Sequence, residues 1–284
     1  MDASHKTDAE QKALWNGTAG RAWVEAQDAL DRMFRPMEEL LVKEVAARPR
    51  AGVLDVGCGT GSTTLSAKRE VGADGQCVGV DISEPMIDRA RSRAQRDGTQ
   101  VTFICADAAL HPFERASFDL IFSRFGVMFF SEPVRAFENL RRAARDGADL
   151  CCIVWRSPGE NRFMTTAERA AAPMLPNIPA RDPNAPGQFA FADPNRVRGI
   201  LEQSGWADIE IVPLDVECSF PQADLERYVT RLGPVGRLLN DVDEHTKARV
   251  LAAVLPAFSQ FVHGATVRFD AACWWVRAAA RGTP

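Results

Sequence analysis

The chain has 284 residues, 46% of them hydrophobic and 25% charged, with a formal net charge of −4. This is the make-up of a globular protein long enough to bury a sizeable core, and its negative balance argues against a partner held through nucleic-acid phosphates, which Lys and Arg must neutralise. No apolar run approaches the roughly 20 residues of a membrane span, and the polar stretch Met1 to Lys12 predicts no secretory leader, so a cytoplasmic protein without membrane insertion is expected.

Residues Ala9 to Ala47 place Leu14, Trp23, Leu30, Met33, Leu40, Leu41 and Val45 at helical spacing, predicting an N-terminal helical cap over residues 1–50. From Ala51 to Trp155 short β-rich runs alternate with helical stretches. Gly52–Val56, Cys77–Asp81, Val101–Cys105, Phe118–Phe122 and Asp149–Trp155 read as strands. Ser62–Glu70 reads as a helix, and two more start at Ser83-Glu84-Pro85 and Ser131-Glu132-Pro133, where an N-cap, an acid and a proline come together. This order predicts an α/β fold, a doubly wound, seven-stranded, mostly parallel sheet with helices on both faces. Its core spans 51–156. An insertion at 157–193 is rich in Pro, Asn and Ala, with a helix over Thr165–Ala172; the core continues through 194–220. A helical insertion at 221–264 precedes the last strand and tail at 265–284. Both insertions are expected to act as lids over the carboxyl edge of the sheet.

Seven cysteines fall mostly within apolar runs, no Cys-x-x-Cys pair occurs, and the four histidines are far apart. Buried, reduced thiols are expected rather than a metal site or disulfides.

The informative segment is Asp55-Val56-Gly57-Cys58-Gly59-Thr60-Gly61, between the first strand and its helix. Glycines let the backbone turn sharply and approach a ligand with no Cβ in the way, at the crevice where open α/β sheets bind ligands. The Gly-x-Gly-x-Gly spacing differs from the Gly-x-Gly-x-x-Gly of dinucleotide folds. Asp81, at the end of the second strand and followed by Ile82, can accept from both hydroxyls of a ribose. Asp107, after the third strand, can accept from an adenine amino group. The three positions outline a ligand with an amino-acid end, a ribose and an adenine.

The runs VLDVGCGTG, GVDIS, ADA at 106–108 and FDLIFSRF at 118–125 together resemble the class I (Rossmann-like) S-adenosylmethionine-dependent methyltransferases, nearest their ubiquinone-biosynthesis-type, small-molecule branch. The resemblance implies S-adenosylmethionine as cofactor, S-adenosylhomocysteine as product and a small-molecule methyl acceptor as partner. It implies that Gly57, Gly59 and Gly61 pass under the methionine part and that Asp55 holds its amino group. Asp81 and Ile82 would take the ribose, Asp107 and Ala108 the adenine, and Ser123 would lie near the methionine and substrate. Trp15-Asn16-Gly17 and the Ala19–Trp23 run, with Arg21 and Trp23, resemble the segment that folds over the cofactor.

For acceptors that need a base, His111 and His263 are the candidates. A nicotinamide-dependent oxidoreductase is the rival reading, disfavoured by the glycine spacing and the absence of a Tyr-x-x-x-Lys pair; a non-catalytic cofactor-binding module is another. A homodimer is compatible with either.

Overall fold

The computed structural model describes residues 3–175, 178 and 181–281; part of the 157–193 insertion therefore lies outside the described residues. Four helices open the chain: α1 (Ala3–Asn16), α2 (Thr18–Glu25), α3 (Gln27–Met33) and α4 (Arg35–Ala46). The core follows as β1 (Gly52–Val56), α5 (Ser62–Val71), β2 (Gln76–Asp81), α6 (Glu84–Arg96), β3 (Thr102–Cys105), β4 (Phe118–Arg124), α7 (Pro133–Ala143) and β5 (Ala144–Trp155). Next come α8 (Arg162–Ala171), α9 (Pro194–Gln203), β6 (Ala207–Pro221), α10 (Leu225–Arg231), α11 (Gly233–Leu238), α12 (Glu244–Ala257), the two-residue β7 (Val262–His263) and β8 (Thr266–Ala279).

The strand order is β3-β2-β1-β4-β5-β8-β6, with β7 attached to β8. β1, β2, β3, β4 and β5 pair in parallel, while β8 runs antiparallel to both β5 and β6. The mostly parallel, helix-flanked sheet expected from the alternation is present. Every residue of β1 is buried, as a strand covered on both faces requires. Cys58, Leu65, Ile87, Ala90, Ala94 and Phe103 cement α5 and α6 onto β3, and the Trp206 indole donates to the Phe137 carbonyl (3.1 Å), fastening the end of α9 to α7.

The N-terminal pattern read as one helical stretch is broken at Gly17, Ala26 and Phe34. The breaks follow tertiary packing: Met33, Met37, Leu41 and Val45 are all fully buried, and successive turns must change direction to reach the same core.

The β6–β8 pairing runs on from Trp155↔Cys273, the last β5 pair, to Pro221↔Thr266. On this ribbon the main core continues between α8, α10 and α12. Phe163 stacks on Phe269 with ring centres 3.9 Å apart and meets Phe220, Tyr228, Phe258 and Phe261 edge-on or tilted. Asn161 closes its base, donating to the Ala272 carbonyl (2.9 Å) and accepting from its amide (3.0 Å). Helices of the two insertions pack together through α8 and α12, and Phe163 is a core residue. Phe163→Ala should cost about 3–5 kcal/mol, the usual loss for a buried Phe, read as a lower urea midpoint; a change below about 1 kcal/mol would show that this cluster is loosely packed.

Candidate functional site

β1 delivers the chain into Gly57 (φ +69°) and Gly59 (φ +55°), a region of backbone space that L residues avoid. A Cβ on Gly57 would lie 2.5 Å from the Gly126 Cα, so the loops leaving β1 and β4 touch backbone to backbone. A Cβ on Gly59 would meet only the Met86 sulfur, at 3.8 Å; its inner side is open cavity. Gly61 behaves differently. Its Cβ would strike Phe103 and Ala90 at 2.8 and 2.9 Å, so its bareness serves helix packing, and it does not line the cavity as expected.

Above this loop lies a cavity of about 880 Å3 including its open mouth. Gly57, Gly59, Asp81, Ile82, Asp107 and Ala108 line it, as does Trp23. The floor therefore gathers most of the strand-end positions singled out from the sequence.

Asp81 is 8% exposed and accepts the Gly59 amide on one oxygen (2.8 Å) and the Ser83 amide on the other (2.9 Å). Burial pushes its carboxyl up to about 6 against these hydrogen bonds. Asp55 lies just below the floor. One of its oxygens accepts from Thr63 (2.5 Å) and Thr64 (2.7 Å) of α5, and burial pushes it too up to about 6. Its other oxygen, Oδ1, is buried without a partner. Asp107 accepts the Ala109 amide (2.8 Å), and burial raises its carboxyl above the usual value.

The cover comes from the N-terminal helices: Asp8, Gln11 and Trp15 of α1 and Trp23 of α2 face the cavity. Trp15 meets Trp23 and Phe129 edge-to-face, with centres 6.0 and 5.0 Å apart. Asn16 fixes the cover to the β2–α6 turn, donating to the Ile82 carbonyl (3.0 Å) and accepting the Glu84 amide (2.9 Å), so it caps α6 from another helix. The Ser83 hydroxyl donates to the Trp15 carbonyl (2.6 Å), and a Cβ on Gly20 would collide with both groups. No described residue of 157–193 or 221–264 lines this cavity, so its cover is N-terminal.

Four expectations are corrected. Ser123 is fully buried; its hydroxyl donates to the Val56 carbonyl (2.7 Å) and accepts the Gly126 and Val127 amides (3.1 and 3.3 Å), bracing the β4 exit rather than facing a ligand. Arg21 is exposed, because it sits across α2 from Ala19 and Trp23. The His111 ring packs against Phe113, 4.7 Å between centres, and does not line the cavity. His263 is exposed on β7, beside Glu217 and Arg268 on the β6–β8 ribbon.

Gln11, Met86 and Ser131 were missed and line the cavity, together with Arg124, Phe129 and Phe130. Asn139 of α7 is 8% exposed and holds the turn after Asp107 by donating to the Ala108 and His111 carbonyls (2.9 and 2.8 Å). An asparagine beside Leu140 in the apolar stripe of α7 was the available signal for it, since a buried amide must find partners.

With Asp55 and Asp81 both raised, ionisation penalises the folded ligand-free protein. The penalty is absent below about pH 4, grows as pH rises and is complete above about pH 6. Asp55→Asn should therefore flatten the dependence of unfolding free energy on pH between about 4 and 6; an unchanged profile in denaturant titrations would remove Asp55 from this balance.

Residues 53–147 match the family model of a methyltransferase domain. The chain is 30% identical over 133 residues to a 2-phytyl-1,4-naphtoquinone methyltransferase of Trichormus variabilis, covering 46% of this chain and 58% of that protein. It is 25% identical over 179 residues to a demethylmenaquinone methyltransferase of Staphylococcus saprophyticus (60% and 76%), and 28% identical over 204 residues to a nocamycin O-methyltransferase of Saccharothrix syringae (67% and 71%). Among solved structures, a putative methyltransferase of Bacillus halodurans superposes with a TM-score of 0.55 at 17% identity, covering 86% of this chain and 98% of the other; that likeness concerns the fold.

Proposed function

We propose that this chain, whose residues 53–147 match a methyltransferase-domain model, is a class I S-adenosylmethionine-dependent methyltransferase that transfers a methyl group to a small, moderately apolar acceptor. The observation that carries the reading is the unspent polar capacity of the cavity floor. Asp55 keeps a buried oxygen without a partner, and Gly59 leaves open space where any side chain would intrude. Asp81 and Asp107 present carboxylates at the next two strand ends. An ammonium, a ribose diol and an adenine amino group are the complements of these acceptors. A nicotinamide dinucleotide, with its pyrophosphate, would instead need a phosphate-binding glycine turn of different spacing.

When bound, S-adenosylmethionine supplies a methyl group already made electrophilic by its sulfonium. The task left to the chain is to hold a nucleophile in line with that methyl and to keep water away. Trp15, Trp23, Phe125, Phe129 and Phe130 form the apolar side of the cavity, suited to a flat, unsaturated acceptor. The ionisable side chains among the described lining residues are Asp8, Asp81, Asp107 and Arg124. With no histidine among those described residues, the reading favours acceptors that ionise or carry a lone pair on their own, such as a phenol, an enol, an amine or a thiol. The 2-phytyl-1,4-naphtoquinone and demethylmenaquinone in the names of two relatives are consistent with a flat ring system.

No helix among the described residues is long and apolar enough to cross a membrane, and no group of three or more His, Cys, Asp or Glu among them is placed to hold a metal ion. The same reading makes this a cytoplasmic enzyme acting on a diffusible acceptor, with no nucleic-acid partner; a homodimer is compatible with it.

Calorimetric titration with S-adenosylmethionine, S-adenosylhomocysteine and NADH should show binding of the first two only, and labelled-methyl transfer should favour hydroquinones and phenols over short, highly charged acceptors. Binding of NADH alone would overturn the cofactor, and preference for short charged acceptors would overturn the acceptor class. Asp81→Ala should weaken S-adenosylhomocysteine binding by at least about tenfold with the fold intact, the loss expected when a charge-assisted hydrogen bond is removed. Affinity should also fall as pH drops through about 6, because the ligand's donors prefer the ionised carboxyls and binding releases protons. A flat affinity between about pH 5 and 8 would exclude these carboxyls from the contact.

A further inference from the structure

The cavity floor runs along four adjacent strand ends, in the order β3, β2, β1, β4. Asp107 follows β3, Asp81 ends β2, Gly57 leaves β1 and Arg124 ends β4, and all four line the cavity. Two acids therefore stand at one end of the floor and a guanidinium at the other.

Arg124 and Phe125 both line the cavity, although successive residues of a strand face opposite sides of a sheet. Phe125 makes this possible by adopting the left-handed conformation (φ +71°), which is strained for a bulky side chain. Several contacts hold it there. Its amide donates to the Ile153 carbonyl (2.9 Å). Its ring stacks on Trp155 with centres 4.6 Å apart and meets Phe34 edge-on at 5.2 Å. The Ser123 hydroxyl takes the next two amides, those of Gly126 and Val127. Backbone strain thus turns a cation and an aromatic ring toward one space, a use of strain typical of functional sites.

The guanidinium is only partly engaged. Its side chain is 13% exposed, and Nη1 lies 3.6 Å from a Glu38 carboxylate oxygen and 3.5 Å from the Phe34 carbonyl. Glu38, the acid that faces it from α4, already accepts from Ser62 on one oxygen and from Ser66 (2.6 Å) on the other. Five donors in a rigid fork thus have two contacts, both at one nitrogen and both at or beyond the edge of hydrogen-bonding range. A guanidinium so withdrawn from water is best satisfied by an anion that takes two of its donors. Asp81 and Asp107, which would repel such an anion, lie toward the far end of the floor.

We infer that Arg124 is the specificity-determining residue of the acceptor subsite, pairing with the ionised oxygen of a flat enol or phenol bound beside Phe125. The inference rests on the cofactor reading proposed above: with the adenine at Asp107 and the ribose at Asp81, the sulfonium falls between β1 and β4, next to this pair. The acceptor gives up its O–H proton to solvent on binding. Its oxygen lone pair then forms the bond to the methyl carbon as the S–CH3 bond breaks, and that bonding pair stays on sulfur, leaving a methyl ether and neutral S-adenosylhomocysteine. The guanidinium favours the acceptor anion by charge, so no general base is required.

The test uses 4-nitrophenol, which is yellow only as its phenolate, added to the full chain saturated with S-adenosylhomocysteine. Read by absorbance across pH, the bound probe should ionise at least about one pH unit below the free probe, the effect of an opposite charge within a few ångströms. Arg124→Met should abolish the shift, and Arg124→Lys should keep part of it. Nitrobenzene, which has the ring without the acid, should bind the natural chain and Arg124→Met within about threefold of each other, and so should S-adenosylhomocysteine. An unshifted or raised midpoint in the natural chain overturns the inference, as does no binding of the probe to the saturated chain, or a shift that Arg124→Met keeps. Loss of about tenfold or more in S-adenosylhomocysteine affinity in Arg124→Met also overturns it, giving the guanidinium to the cofactor. Should Arg124→Met fail to fold, the midpoints in the natural chain and in Arg124→Lys decide. Failure of the natural chain to bind S-adenosylhomocysteine is a separate result, which overturns the cofactor reading itself.

Discussion

The carboxylate of Asp81 is the point on which the site depends. Buried at the end of β2, it accepts one amide from the glycine loop and one from the turn that opens α6. Two loops that bound the cavity on different sides are thereby held at one separation. The same turn carries the cover, because Ser83 and the backbone around Ile82 and Glu84 anchor Trp15 and Asn16. Floor, side and cover are thus joined through a few hydrogen bonds around a single strand end. The burial that this requires also pushes the Asp81 carboxyl up to about 6, so the site is strained electrostatically until donors arrive, as functional clefts often are.

A second set of charges fixes the N-terminal helices on the sheet. Arg93 of α6 reaches the Thr60 carbonyl in the glycine loop (2.9 Å) and pairs with Asp31 of α3 (2.8 Å). Glu38 of α4 takes the hydroxyls of Ser62 and Ser66 at the start of α5, where a negative charge also suits the helix dipole. These contacts are partly buried, so they are less screened than surface pairs and set position more than they add stability. The helices that cover the cavity are accordingly built into the core rather than laid on it.

The insertions make a separate contribution. Their aromatic cluster around Phe163 sits on the part of the β6–β8 ribbon that extends past β5 and extends the core of the sheet in that direction. Read along the sequence, the apolar side chains of 157–264 have no evident core of their own. That core forms only when α8, α10 and α12 meet, and they lie far apart along the chain.

Strand and helix order, the parallel sheet, the glycine turn and the acids at three strand ends were legible in the sequence, because each depends on local propensity, on period or on a backbone conformation that a glycine permits. The roles of individual side chains divided along another line. Gly57 and Gly59 face the cavity, but Gly61 meets Phe103 and Ala90, a contact set by residues some 30 to 40 positions away along the chain. Ser123 is spent on the backbone of Val56 and Gly126, whereas its neighbour Arg124 reaches the cavity. Asn139 supports the turn after Asp107 from a distant helix. His111 and His263, the candidate bases, lie outside the cavity. Local sequence determines where the chain turns and which groups it offers at each turn. Which of them face the cavity is decided by packing between segments distant in sequence, since a polar group inside a close-packed fold takes whatever partner the opposing segment brings to it.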